Sequence, residues 1–254
     1  MSSYKAYCFD LDGTVYRGAE GIPTAITFIH NLQERGIEPF YVTNNSSKTR
    51  EQLQDALRKI GIEAPLTHIY SSALTTAKYI VSNLADKRVA MIGSEGLRDA
   101  LANEGIELSE EDPEVFVMGI DRSLDYSALA KAAIALQNGA VFIATNQDVK
   151  FPTEHGFVPG NGSFARLVGE VASVEPTYIG KPSPVMLEVI AADHSFEKHE
   201  MVMIGDNYDT DIMCGINFGC DTIHVNTGVT PSATVKEKKQ QPTYIIEVLT
   251  DFNA

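Results

Sequence analysis

The chain has 254 residues, 44% hydrophobic and 21% charged, with a formal net charge of −14. That length supports one large or two ordinary domains with real cores, and the apolar share is that of a globular chain. The acidic balance, with no long basic stretch, argues against nucleic acid or an anionic membrane as the main partner; small anionic substrates stay open, because a local site can be positive on an acidic surface. Cys8, Cys214 and Cys220 are scattered and odd in number, so they read as reduced, buried thiols and not as a disulfide framework. The six histidines show no metal-ligand spacing. No leader-like start and no apolar run of membrane-spanning length is present, which makes the cytoplasm the expected location.

In chain order, residues 4–9 are short, apolar and aromatic, the pattern of a strand buried on both faces. The run stops at Asp10-Leu11-Asp12-Gly13-Thr14, two carboxylates spaced i, i+2. A loop is expected over 17–22 and a helix over 24–35, where Ile26, Ile29 and Leu32 recur at helical spacing and Gly36 is the stop. A second strand over 38–42 ends in Thr43-Asn44-Asn45-Ser46-Ser47, and Ser47 is the expected N-cap of a helix reaching residue 60. A short strand over 69–71 and a helix over 74–84 follow. This alternation predicts a parallel sheet with crossover helices.

A second unit begins near Lys87, with strands over 89–92, 115–118 and 141–144 and helices over 97–103 and 126–137. The acidic stretch 107–114 reads as a solvated loop. The third of these strands ends in Thr145-Asn146-Gln147-Asp148, echoing the Thr43 strand end. A loop is expected over 151–162, then a helix over 163–171. The first unit resumes at 178–179, followed by Gly180-Lys181-Pro182-Ser183-Pro184 and a helix over 185–192. The strand 201–204 ends in Gly205-Asp206-Asn207-Tyr208-Asp209-Thr210-Asp211. A helix over 212–218, a strand over 222–225 and a polar connector over 236–241 complete the chain, with a last strand or short helix over 244–249. The expected fold is α/β: a Rossmann-like parallel core formed by 1–84 and 177–254, with an inserted α/β cap over 85–176. Lys181 lies 138 positions beyond Thr43 (181 − 43), which exceeds one or two crossovers and fits such an insertion.

Paired acids do not end a buried strand for stability, since like charges held close cost free energy unless a cation lies between them. In open parallel sheets, ligands bind beyond the carboxyl ends of the strands. Asp10/Asp12, Thr43/Asn44, Lys181 and Asp206/Asp211 all fall at such ends or on nearby loops. Asp10 and Asp206 are hard oxygen donors suited to Mg²⁺, which keeps waters and shares a phosphate. The Thr43 hydroxyl and the Asn44 amide suit phosphate oxygens, and Lys181 adds a point charge. A carboxylate nucleophile would carry the phosphoryl group as an aspartyl-phosphate, and a second acid two residues on would move protons.

These four ordered segments resemble the motifs of the haloacid dehalogenase superfamily. Val42-Thr43-Asn44-Asn45-Ser46, Ala144-Thr145-Asn146-Gln147-Asp148 and Gly180-Lys181-Pro182-Ser183-Pro184 resemble its NagD-type branch of capped phosphatases more narrowly, over nearly the whole chain. The resemblance implies a cap domain, Mg²⁺, and Asp10 as nucleophile and metal ligand. It implies Asp12 as general acid/base, with its backbone carbonyl on the metal. Thr43, Asn44 and Lys181 would bind phosphate, Lys181 also steadying the nucleophile. Asp206 would ligate the metal, with Gly205, Asn207 and Asp211 in support and Asp209 a possible solvent-exposed neighbour. Dehalogenase members lack the acid matching Asp12, so its presence implies a phosphatase. Substrates of that branch include sugar phosphates and nucleotides. Asn146, Asp148 and the segment Pro159-Gly160-Asn161-Gly162 are candidates to face the substrate from the cap, against the plainer reading of a turn and a loop feeding a helix. A mutase-type phosphoryl transferase on the same fold, a receiver-like domain and a non-catalytic phosphate-binding protein are the alternatives. Oligomeric state is not legible in the sequence.

Overall fold

The structure, a computed structural model, describes residues 4–153 and 155–252. From the start of the chain it forms β1 (Ala6–Phe9), β2 (Tyr16–Arg17), β3 (Glu20–Gly21), α1 (Pro23–Glu34), β4 (Phe40–Thr43), α2 (Arg50–Lys59) and β5 (Ile69–Ser71). Next come α3 (Ser72–Asn83), β6 (Val89–Ile92), α4 (Glu95–Asn103), β7 (Val115–Met118), α5 (Tyr126–Gln137), β8 (Val141–Ala144), β9 (Lys150–Thr153), β10 (Gly156–Pro159), α6 (Asn161–Ala172) and β11 (Thr177–Tyr178). The chain closes with α7 (Val185–His194), β12 (Met201–Gly205), α8 (Met213–Phe218), β13 (Asp221–Val225), α9 (Ser232–Lys236) and β14 (Tyr244–Ile246). It divides into two compact units, one of 1–43, 50–70 and 181–254, the other of 44–49 and 71–180.

The first unit is built on a six-stranded sheet ordered β14-β13-β12-β1-β4-β5. β1 lies between β12 and β4, parallel to both, and all four of its residues are buried. A central strand covered on both faces has no place for alternation, so Ala6-Tyr7-Cys8-Phe9 is apolar throughout. Tyr7 and Phe9 each meet Phe28 of α1 edge-on at 6.2 Å between ring centroids. That helix buries Ala25, Phe28, Ile29 and Leu32, starts with a proline in its first turn, and is followed by Gly36 at φ +77°. Strand order reverses between β1 and β12, the switch point where ligands bind in open sheets.

The second unit has its own parallel sheet, ordered β11-β8-β7-β6. α5 and α6 pack together, burying Ala132, Leu136, Ala165 and Val168 with Phe116 and Phe142 of the strands. The expected α/β architecture, parallel core sheet and inserted α/β segment are all present.

Local differences have identifiable causes. Strand β11 pairs with β8 and α3 packs on α4, so both lie in the second unit although the sequence places them with the core. The segment expected as a loop over 151–162 contains the antiparallel hairpin β9–β10, whose apolar residues Phe151, Phe157 and Val158 face solvent and give no inside–outside alternation to read. Residue 154 lies outside the described residues. Ser47 does not cap α2, which starts at Arg50. Instead the Asn45 side-chain oxygen accepts the amides of Ser47 at 2.9 Å and Lys48 at 3.0 Å, a turn that competes with helix initiation. The loop expected over 17–22 carries the short ribbon β2–β3. Helix α8 is preceded by a wide π-type turn over Tyr208–Ile212, and the expected polar connector opens on the last residue of the short helix α9. Both shifts lie in segments too short for a hydrophobic period to show.

Candidate active site

Asp10 follows directly on β1, and its amide donates to the Ile204 carbonyl of β12 at 2.9 Å. Asp206 follows directly on β12. The two acids thus stand at the carboxyl ends of adjacent strands, on either side of the switch point. Oxygen atoms of Asp10, Asp206 and Asp211 all lie within 4.8 Å of one another, and all three residues are buried.

Lys181 is 1% exposed, and its ammonium reaches Asp10 Oδ1 at 2.5 Å and Asp211 Oδ1 at 2.8 Å. It also donates to the Val42 carbonyl at 3.1 Å, one residue before Thr43. Burial disfavours charge on Lys181, but Asp10 and Asp211 outweigh it and hold the amine above its usual range. Burial pushes the Asp10 carboxyl up and Asp211 adds to this, while Lys181 opposes both. Asp206 is pushed up to about 6, by burial first and then by Asp211.

Asp206 is seated by neutral donors. Thr14 Oγ1 donates to Oδ1 at 2.9 Å and the Val229 amide to Oδ2 at 2.6 Å. A Cβ on Gly13 would stand 2.6 Å from this carboxylate, and one on Gly228 2.0 Å from Oδ2, so both positions exclude a side chain. Thr227 Oγ1 donates to the Gly13 carbonyl at 2.7 Å, and the Arg17 guanidinium donates to the Thr227 carbonyl, tying the two loops together. The buried imidazole of His224 donates to the Thr230 carbonyl at 2.8 Å and is close to that of Asp206 at 3.2 Å.

Asp211 lies in the π-type turn, a widening that is frequent at functional sites. Its Oδ2 accepts the Asn207 amide at 3.0 Å, and a Cβ on Gly205 would stand 2.2 Å from the Asp211 Cβ. Asp209 is exposed, paired with Lys238 at 3.1 Å, and is not one of the three clustered acids. Asp12 is exposed; Thr43 is buried at the end of β4. The first unit thus brings Asp10, Lys181, Asp206 and Asp211 together. Gly13 and Thr14 stand inside the first acid-bearing segment with no role of their own assigned, and Gly228 and Val229 escape sequence reasoning, because neither a hydroxyl nor a loop amide shows its partner until the fold aims it.

In the second unit, Asn44, Asn146 and Asp148 form one polar cluster. Asn44 Nδ2 lies 3.3 Å from both Asp148 oxygens, and Asn146 Nδ2 donates to the Asn44 carbonyl at 2.9 Å.

Three buried acids around one ammonium leave surplus negative charge, and their hard oxygen donors fit a small divalent cation. Among the described residues no helix is long and apolar enough to cross a membrane.

Comparison with known proteins agrees with this arrangement. Residues 7–107 match the family model described as haloacid dehalogenase-like hydrolase, and residues 178–252 match one described as HAD-hydrolase-like. The chain is 44% identical over 245 residues to an acid sugar phosphatase of Staphylococcus haemolyticus, covering 96% of this chain and 93% of that one. It is 40% identical over 252 residues to the 5'-nucleotidase YutF of Bacillus subtilis, covering 99% and 98%. A crystal structure of a double-mutant thermostable NPPase from Geobacillus stearothermophilus superposes with a TM-score of 0.93 at 42% identity, over 100% of this chain and 99% of that one. With four ordered motifs, a parallel core and relatives matched over nearly their whole length, the chain belongs to the haloacid dehalogenase-like hydrolases and is a phosphatase of that family.

Proposed function

We propose that this phosphatase is Mg²⁺-dependent, hydrolyses small phosphate monoesters, and does so through an aspartyl-phosphate on Asp10. The observation that carries this reading is the buried Lys181–Asp10 contact of 2.5 Å at a strand end shared with Asp206 and Asp211. Lys181 opposes the burial and the neighbouring Asp211 that push the Asp10 carboxyl up, and it orients the group for attack. Asp206, which makes no ion pair with a basic side chain among the described residues, and Asp10 would hold Mg²⁺, with the Asp12 carbonyl. When bound, the ion neutralises charge on the phosphoryl oxygens. Asp211, neutralised by Lys181, is the supporting carboxylate, and Gly205 and Asn207 support it in turn.

In the first step an Asp10 oxygen attacks phosphorus while the bond to the leaving oxygen breaks, and Asp12 gives that oxygen a proton. In the second, the Asp12 carboxylate takes a proton from water, whose oxygen attacks phosphorus and releases phosphate and free Asp10. Exposure suits Asp12 to both transfers. Thr43 Oγ1, the Asn44 amide and Lys181 would bind the phosphoryl oxygens, where fixed donors do most of the work.

The first unit is the proposed catalytic core and the second the proposed cap, which sets substrate choice. Relatives named for sugar phosphates and for nucleotides put both classes, sugar or sugar-acid phosphates and nucleoside monophosphates, on the list for this chain. None of the three cysteines forms a disulfide, which suits a cytoplasmic setting. The deciding experiment is phosphate release from a panel of phosphate esters with Mg²⁺. Release from several esters is expected; none across the panel would overturn the reading.

A further inference from the structure

The cluster around Asn44 is held together by hydrogen bonds within the second unit. The Asn44 carbonyl accepts two hydrogen bonds, from Ser72 Oγ at 2.7 Å and from Asn146 Nδ2 at 2.9 Å. Its side-chain amide is directed at the Asp148 carboxylate. The Asn146 side-chain oxygen in turn accepts the Asp148 amide at 3.2 Å. Ser72 and Asn146 are buried, at 0% and 5% exposure.

The turn carrying Asn146 and Asp148 is itself clamped by the start of α6. Asn161 Nδ2 donates to the Asn146 and Met118 carbonyls, both at 3.1 Å, and the Gly162 amide donates to the Asp148 carbonyl at 2.9 Å. A Cβ on Gly160 would stand 2.2 Å from the Asp148 carbonyl oxygen, and one on Gly162 2.1 Å from that of Gln147. The segment Gly160-Asn161-Gly162 is thus a backbone-on-backbone contact. Both glycines serve this close approach of backbone to backbone.

We propose that Ser72, Asn146 and Asp148 are positioning residues that fix Asn44, and with it the amide following Thr43, in the orientation that binds phosphate. Two donors on one carbonyl saturate its lone pairs, so turning the Asn44–Asn45 peptide breaks both bonds, and this anchor limits how far the Asn44 N–H on the preceding peptide can swing. The Asp148 contact stops the side chain from turning with it. Donors held this way cost no reorganisation when charge develops on the phosphoryl group. The inference rests on the phosphate-binding reading of Thr43 and Asn44.

The test uses the full-length Mg²⁺-loaded protein, Ser72→Ala and the near-isosteric Asn146→Asp, which keeps shape but removes the donor. Turnover is measured on esters with different leaving groups, with orthovanadate as a leaving-group-free probe of the phosphate site. Each variant is expected to lose about three- to tenfold in kcat/KM, the worth of one hydrogen bond, by the same factor on every ester. The vanadate inhibition constant should rise in parallel. A loss that varies with the leaving group would make these residues substrate contacts. Lowered thermal stability with unchanged vanadate inhibition, or failure of both variants to fold, would make them structural. Either result overturns the inference while phosphate release by the wild type keeps the phosphatase reading intact. A wild type that neither hydrolyses esters nor binds vanadate removes both.

Discussion

The ammonium of Lys181 lies 2.5 Å from Asp10 Oδ1, although the two stand 171 positions apart in the chain and both are buried. The same ammonium serves Asp211 at 2.8 Å. One cation therefore offsets two carboxylates, and removing it strands both in a low-dielectric site. Lys181→Met is expected to destabilise the protein by about 3–5 kcal/mol, the cost of breaking a buried pair by deleting one partner. It should also lower kcat/KM by on the order of 10²- to 10³-fold, through lost stabilisation of phosphoryl charge. Urea unfolding and steady-state kinetics check the two effects separately.

Asp10→Asn removes the proposed nucleophile and leaves the shape of the site. Loss of activity by on the order of 10³-fold or more is expected, with the fold retained, since a neutral amide relieves some of the acidic crowding. Circular dichroism with a phosphate-release assay reads both. Near-normal turnover would sink the aspartyl-phosphate mechanism.

Chelation should abolish turnover, and added Mg²⁺ should restore it; full activity after exhaustive chelation would rule out the metal role. A finer test is Thr14→Val. This hydroxyl holds Asp206 Oδ1 at 2.9 Å and is fully buried. Partners behind a metal ligand tune affinity, so the Mg²⁺ concentration for half-maximal activity should rise by about tenfold. A change in kcat at saturating Mg²⁺ with no shift in that midpoint would count against Asp206 as a ligand.

The cysteines make a prediction independent of catalysis. Burial pushes Cys8 and Cys214 up, and Cys220, half-buried, up to about 12. Thiolate is the reactive form, so a disulfide-exchange reagent at about pH 8 should label the folded protein little and all three thiols after denaturation. Rapid labelling of the native state would show that these side chains open to solvent.

How much was legible before the fold was known depends on the physics each feature reports. β1, α1, β4 and β12 show in the sequence because a buried central strand must be apolar and an amphipathic helix must repeat its apolar positions. The hairpin β9–β10 does not show, because its apolar residues point to solvent. Asp10, Asp12, Thr43, Lys181 and Asp206 stand out as polar groups where apolar strands stop. Asn146 and Asp148 stand out too, but their bonds to Asn44 show only in the fold.

The sequence by itself determined the order of elements, the parallel core and the acids at its strand ends, because these follow from local periodicity and from the cost of ending a buried strand in charge. Only the tertiary structure decided which groups meet. Lys181 lands between Asp10 and Asp211 because the sheet brings those strand ends together. Thr14 and the Val229 amide turn to Asp206 because Gly13 and Gly228 let the loops close in. Ser72 reaches Asn44 because β4 and β5 end side by side. Chemical type is a property of single residues, whereas a charge's partner is set by long-range packing that no local pattern encodes.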